Sequence, residues 1–118
     1  MQGETWLGQT ELGHPTSWLG TTWEATPRQR TELEAGFGAV AAWAHAHERP
    51  VFVGEFGTTG NADMPSRVRW TRSNREFAER HGFSWGCWSY GPSFALWDFD
   101  HHRWHAELLR ALLPATQR

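Results

Sequence analysis

The first regular pattern of apolar positions in the chain predicts an amphipathic helix that begins just after Thr26. Thr26, Pro27 and Gln29 provide an N-cap oxygen, a proline at the first helical position and the capping-box side chain. The apolar residues that follow recur at helical spacing and form a single stripe: Leu33, Phe37, Val40, Ala41 and Ala44. Pro50 sets the far limit of this helix, because the residue before a proline is pushed out of helical geometry.

Two short apolar runs, at 51–55 and 83–88, lack polar alternation and predict strands that are buried on both faces, as in a parallel sheet. A helix is predicted between them over about 63–80, and a last helix over about 103–113 after an irregular loop. Strands that alternate with helices pair in parallel through right-handed crossovers. The sequence therefore predicts an α/β fold whose two strands need neighbouring strands that the chain does not contain.

The organisation predicted for 1–118 is a single unit with an irregular beginning. Glycines and prolines interrupt every possible period in residues 1–25, and the segment is longer than a routine connection. It is therefore expected to be functional or to be an orphaned end. Residues 26–118 carry the helix, strand, helix, strand, helix order.

Composition narrows the class of protein further. Among 118 residues, 39% are hydrophobic and 20% are charged, which argues against wholesale disorder. The net charge of −2 provides no basic surface for nucleic acid or anionic lipid, and no apolar run reaches the roughly 20 residues of a membrane helix. The first residues lack the blocks of a secretion signal. Cys87 is the single cysteine, so an internal disulfide and a Cys-rich zinc site are excluded.

The candidate chemistry lies at the ends of the two predicted strands. Glu55 ends an otherwise apolar strand, where a carboxylate costs free energy unless it is hydrogen-bonded or functional. Trp88 stands at the equivalent end of the next strand, and ligands bind at this end of parallel sheets. An indole face beside a carboxylate suits a sugar, although a structural ion pair for Glu55 and core packing for Trp88 are the plainer alternatives.

Other polar clusters favour plainer interpretations. His101 and His105 have helical spacing for a metal, but no third ligand repeats it. Asp98 and Asp100 would need further oxygens to hold calcium. No metal and no cofactor is expected. The arginines of the second helix spread around its axis and are expected to face solvent: Arg67, Arg69, Arg72 and Arg75.

Several segments, taken in order, resemble the carboxyl-terminal portion of the cellulase-type enzymes of glycoside hydrolase family 5. The resemblance covers nearly the whole chain, and the ordered series is more specific than any one motif. The segments are WLGTTW at 18–23, VFVGEFG at 51–57, RVRWTR at 67–72, GFSWGCW at 82–88, FALWD at 94–98 and LLRALLP at 108–114.

The resemblance implies part of a (β/α)8 TIM barrel, about its last two βα units, and a retaining glycosidase. By this resemblance, Glu55 corresponds to the catalytic nucleophile, which forms a covalent glycosyl-enzyme. Trp88 corresponds to the tryptophan that forms the floor of the sugar site next to the scissile bond. Trp97, Asp98 and Trp23 are further candidates for substrate contacts at the rim. The implied substrate is a β-1,4-glucan or a related polysaccharide, and the parent enzyme is expected to be secreted.

The chain departs from this family in what it omits. The family's acid/base glutamate, which follows an Asn on strand four, has no counterpart here, and such a barrel needs about 250 residues. The isolated chain is therefore expected to be inactive, of low stability and prone to association through exposed strand edges. A Trp-rich carbohydrate-binding module without hydrolysis and a degenerate fragment are the alternatives.

Overall fold

The computed structural model describes residues 20–114, so most of the segment predicted to be irregular lies outside the described residues. The described part is an α/β unit of three α-helices and two small sheets. In chain order the elements are α1 at Pro27–Ala46, β1 at Phe52–Phe56, α2 at Met64–Arg80, β2 at Ser84–Cys87, a short 3-10 helix at Pro92–Phe94, β3 at Trp97–Asp98, β4 at Arg103–Trp104 and α3 at Ala106–Leu112.

Helix α1 begins with the capping box that the sequence predicts. The Thr26 hydroxyl accepts a hydrogen bond from the Gln29 backbone N–H at 3.2 Å, and Gln29 Oε1 accepts one from the Thr26 N–H at 3.1 Å. Two of the amide groups that a helix start leaves without partners are thereby satisfied. The helix ends at Ala46, and its C-cap residue His47 lies three residues before Pro50.

Strands β1 and β2 pair in parallel, as the alternation of strands and helices predicts. Phe52 lies opposite Ser84 and Phe56 opposite Cys87, with an irregularity in the register between Val53 and Phe56. The pairing continues one residue beyond β2, because the N–H of Trp88 donates to the carbonyl of Phe56 at 2.7 Å. The carboxyl ends of the two strands are therefore held side by side.

Helix α2 is the centre of the unit. Phe77 and Ala78 on α2 and Leu108 and Ala111 on α3 are all buried, and the two helices pack against each other. Arg75 is also buried and donates from Nε to the carbonyl of Ala111 at 2.8 Å. The expectation that the arginines of this helix face solvent is wrong for Arg75, because α3 covers it.

Several apolar side chains of the strands and of α1 remain exposed. Phe52 on β1 and Val40 and Trp43 on α1 are each about half exposed or more. Within the described residues, β1 is paired with β2 alone. An apolar surface and an open strand edge are thus present, as expected for strands that need further neighbours. None of the described helices has the length and hydropathy to cross a membrane.

The loop after β2 contains a hairpin that the sequence analysis does not predict. Trp97 and Asp98 pair antiparallel with Trp104 and Arg103. The last helix therefore begins at Ala106 and not at 103, because residues 103–104 are held in β4 by this pairing.

Candidate functional site

Glu55 and Trp88 line the same cleft at the carboxyl ends of β1 and β2. The cleft has a volume of about 530 Å³, and both side chains are exposed to solvent. Its other lining residues come from β1, from α2 and from the loops after the strands: Val53, Phe56, Gly57, Trp70, Asn74 and Phe94. The structure thus places the carboxylate and the indole at one opening, with apolar walls around them.

The backbone of Gly57 is packed closely against Trp88. A Cβ atom at Gly57 would lie 1.8 Å from the Trp88 carbonyl oxygen, far inside van der Waals contact. Only glycine allows the two loops to approach this closely. The peptide bond that links Trp88 to Ser89 is cis. Gly57, two residues after Glu55, therefore fixes where the chain carrying Trp88 can lie.

Arg67 ties the loops that follow the two strands to each other. Its guanidinium donates from Nε to the Thr58 hydroxyl at 3.3 Å and from Nη2 to the Ala95 carbonyl at 2.8 Å. The residue is 4% exposed, and this burial lowers the pKa of the guanidinium from its ordinary value. The expectation of a solvent-facing side chain is wrong for Arg67. Arg67 is instead a buried polar residue that connects the loops that carry the candidate site.

Trp97 and Asp98 line a second cavity, of about 580 Å³, that shares no lining residue with the Glu55 cleft. The Asp98 carboxylate accepts hydrogen bonds from the His101 backbone N–H at 3.1 Å and from the His101 ring at 2.9 Å. Partial burial raises the pKa of this carboxyl, but the His101 hydrogen bonds outweigh burial and hold the pKa below its usual range. Asp98 is therefore ionised at neutral pH.

Trp23 does not occupy the rim position that the sequence analysis expects. Its side chain is 3% exposed and packs edge-on against Trp70, with 5.4 Å between the ring centroids. Its backbone N–H donates to the Ser66 hydroxyl at 2.9 Å. The indole of Trp23 is buried against α2 and is not available to a substrate. The structure therefore corrects the expectation that Trp23 contacts substrate at the rim.

The histidines and aspartates singled out by spacing do not assemble a metal site among residues 20–114. No group of three His, Cys, Asp or Glu side chains with metal-binding geometry occurs in that part of the chain. His101 is instead the partner of Asp98, and His105 is the N-cap residue of α3.

Cys87 directly precedes Trp88 in the chain, and its thiol is expected to react slowly with alkylating reagents. Burial raises the pKa of its thiol to about 11, although the charge of Arg67 opposes the shift. At pH 8 the thiolate fraction is then on the order of 100-fold smaller than for a thiol with an ordinary pKa near 8.5. We expect iodoacetamide to modify native Cys87 at least about 100-fold more slowly than the chain unfolded in urea.

The rate of that reaction should rise with pH toward 11, because the thiolate is the reactive form. Mass spectrometry of the alkylated chain at several pH values measures the rate. Equal rates in the native and unfolded chain at pH 8 would contradict the buried environment.

Sequence reasoning missed Gly57 and Arg67 as residues that hold the site together. The glycine carried a usable signal, since it directly follows the strand end that bears the carboxylate. Arg67 carried none, because an arginine on a helix is usually solvated and its partners, at 58 and 95, are distant in the chain.

These features define the class of protein: it is an α/β unit that holds a carboxylate and an indole at the ends of adjacent parallel strands. The sequence profile of the cellulase family, glycosyl hydrolase family 5, matches residues 10–94. This match covers most of the chain, and the chain belongs to that family. The resemblance drawn from the motifs is confirmed.

Individual relatives agree with the family. Endoglucanase H of Acetivibrio thermocellus is 30% identical over 106 aligned positions, and the alignment covers 84% of this chain and 12% of that protein. A solved endoglucanase superposes with a TM-score of 0.81 and 34% identity, over 96% of this chain and 35% of its own. Thermotoga maritima Cel5A, solved with mannotriose and with cellobiose, superposes with a TM-score of 0.81 and 30% identity, over 95% of this chain and 34% of its own. The chain thus spans about a third of the solved structures that it matches.

Proposed function

We propose that this chain is the carboxyl-terminal part of a retaining β-glucanase domain, with Glu55 as nucleophile and Trp88 as the platform for the sugar beside the scissile bond. The observation that carries the proposal is the shared cleft of these two residues at the carboxyl ends of parallel strands. That is the edge at which α/β barrels place their catalytic groups. The two strands and their helices would be the last two βα units of a (β/α)8 barrel.

The chemistry requires an exposed carboxylate that can reach an anomeric carbon. In a retaining glycosidase a carboxylate oxygen bonds to C1 as the glycosidic oxygen leaves, and a second carboxyl group protonates that oxygen. Water then attacks C1 and releases the carboxylate, so that the configuration is retained. Glu55 is exposed in the cleft, and the Trp88 ring, 51% exposed, is available to pack on the C–H face of the sugar.

The acid that protonates the leaving oxygen is proposed to lie outside this chain. Within residues 20–114, no glutamate except Glu55 lines the cleft. Glu24, in the loop before α1, forms an ion pair with Arg69 at 3.1 Å. A chain with the nucleophile and without the acid is expected to be inactive by itself.

The proposed substrate is a β-1,4-linked glucan or a related polysaccharide. Cel5A, a relative at 30% identity, is solved in complex with cellobiose and with mannotriose, and these ligands support the proposed class of substrate. Trp97 and Asp98 remain proposed contacts for sugar units, at the second cavity and not at the nucleophile.

A Trp-rich carbohydrate-binding module is less consistent with the observed fold. Such modules are usually β-sandwiches of many short strands. Here α1 and α2 alone contain 20 and 17 residues. If the chain is part of a glucanase, we expect its far-UV circular dichroism spectrum to be dominated by helix. A carbohydrate-binding module would give only a weak helical signal.

The proposal is tested by the activity of a chimera, called the completed domain, in which this chain replaces the carboxyl-terminal third of the solved endoglucanase that is 34% identical to it. Reducing ends released from carboxymethylcellulose measure this activity. We expect turnover by the chimera and no turnover above the blank by the purified 118-residue chain. Turnover by the isolated chain would show that the acid is present in it, and an inactive but folded chimera would contradict the assigned nucleophile.

A further inference from the structure

Strand β1 has one edge that no other strand covers. Within residues 20–114 it pairs with β2 alone, and on that side the carbonyl of Val51 accepts a hydrogen bond from the Ser84 N–H at 3.2 Å. The backbone groups of successive strand residues point to opposite edges, so the N–H and C=O of Phe52 point away from β2. A further strand can therefore pair with β1 along this edge.

The side chain of Phe52 lies on a face of the sheet that is also uncovered. A Cβ atom at Gly54 or at Gly86 would lie 3.7 or 3.6 Å from the Phe52 ring, so the ring extends across both strands. The residue is nevertheless 66% exposed. Neighbouring strand residues point to opposite faces, and Val53 faces α1. Phe52 thus points away from the helices, which in a (β/α)8 barrel is the packed interior.

An apolar groove of about 270 Å³ lies between α1 and β1 on the helix side of the sheet. Val40, at the α1 side of this groove, is exposed. The helix and the strand do not fill the space between them, so apolar side chains of a neighbouring strand can enter it. Apart from one glycine, the lining residues are Leu33, Phe37, Val40, Val51, Val53 and Phe83.

The number of helices around the parallel pair indicates what covers this surface. Helix α2 connects β1 to β2, whereas α1 precedes β1 and α3 follows β2. A (β/α)8 barrel has one helix for each junction between neighbouring strands. If β2 of a second copy paired with β1, the α3 of that copy and α1 would compete for one junction. A piece with six strands and five helices completes the barrel without this conflict.

The solved endoglucanase that is 34% identical contains a piece of this size. It superposes on 96% of this chain with 35% of its own, so about two-thirds of it lies outside the match. We propose that the free edge of β1, the Phe52 ring and the α1–β1 groove form a docking surface. Its partner is a separate polypeptide that carries the amino-terminal two-thirds of a family 5 barrel. This inference rests on the proposed function, and it adds that the two parts assemble without a covalent link.

Isothermal titration calorimetry tests the docking surface. The full 118-residue chain is titrated with the amino-terminal two-thirds of that endoglucanase, produced as a separate chain. We expect a complex that contains one copy of each chain. Phe52→Ala should raise its Kd about 10-fold to 100-fold, because the substitution removes the exposed ring that the partner would bury.

Phe99→Ala is the matched control for Phe52→Ala. It makes the same chemical change at an exposed ring in the loop between β3 and β4, away from the docking surface. The Kd of this variant should stay within twofold of the wild type.

Val40→Asp tests the groove independently of the strand. Val40 is exposed in the isolated chain, so the aspartate should leave its folding unchanged. In the complex the carboxylate would be buried without a partner, and the Kd should rise at least about tenfold. Circular dichroism checks each variant, and if Phe52→Ala loses its helical signal, Val40→Asp decides the question.

Binding and turnover are separate measurements, so the docking surface and the nucleophile can fail separately. A complex of one copy of each chain that leaves carboxymethylcellulose uncut supports the docking surface and contradicts Glu55 as nucleophile. A completed domain that is active, together with no detectable complex of the separate chains, overturns the docking surface and supports the proposed function. A Kd that neither Phe52→Ala nor Val40→Asp changes also overturns it, because binding then occurs elsewhere.

Two other occupants of the surface would be recognised, and either would refute the proposal. A second copy would appear in sedimentation equilibrium as an oligomer of the 118-residue chain that Phe52→Ala dissociates and that the partner does not displace. Residues 1–19 of the same chain would be indicated if the full chain binds no partner and Phe52→Ala accelerates chymotrypsin cleavage within those residues.

Discussion

Replacing Glu55 by Gln in the completed domain should lower kcat on carboxymethylcellulose by at least about 10⁴-fold. The amide keeps the size of the side chain, but it has no negative charge and cannot form the glycosyl ester on which a retaining mechanism depends. Initial rates of reducing-end release measure the effect. Because Glu55 is exposed in the cleft and forms no ion pair with any residue of the described part of the chain, the substitution should leave folding unchanged.

The stereochemistry of a rescued reaction identifies the role of this carboxylate. With Glu55→Ala, azide and 2,4-dinitrophenyl β-cellobioside, azide should attack C1 once from the vacated side and give the α-glycosyl azide. A β-glycosyl azide would show instead that Glu55 is the acid/base. Glu107→Gln, an exposed glutamate on α3, is the control and should retain activity within twofold.

Replacing Gly57 by Ala should be the most disruptive small substitution at the site. The added Cβ would lie 1.8 Å from the Trp88 carbonyl oxygen and 2.9 Å from its carbonyl carbon, so backbone has to move. Overpacking of this kind costs about 1–3 kcal/mol of the free energy of unfolding. In the completed domain, displacement of Trp88 by about 1 Å should also lower kcat/KM by up to about 100-fold.

Urea unfolding followed by circular dichroism measures the stability change, and Gly36→Ala provides the matched control. A Cβ at Gly36, on helix α1, would meet nothing within 4 Å, so alanine there should stabilise the chain by about 0.5–1 kcal/mol. The same chemical change is thus expected to have opposite signs at the two positions. An unchanged or raised unfolding midpoint for Gly57→Ala would contradict the close approach of the two loops.

The sequence by itself determined the elements whose signals are local. The capping box at Thr26 and Gln29 predicts where α1 begins, because both of its residues lie within four positions of each other. The apolar runs around Val53 and Trp85 and the helix between them predicted the parallel pair. The strand-end positions of Glu55 and Trp88 likewise predicted that they would share one edge of the sheet, since adjacent parallel strands end together.

Only the tertiary structure decided which polar and aromatic side chains are buried. Trp23 and Trp88 look alike in the sequence, yet one packs against Trp70 and the other is half exposed. Arg67 became an anchor because residues 58 and 95 converge on it, and local periodicity does not encode contacts that distant in the chain. The physical reason is general: a pattern along the chain reports which face a residue occupies, whereas burial depends on what folds over that face.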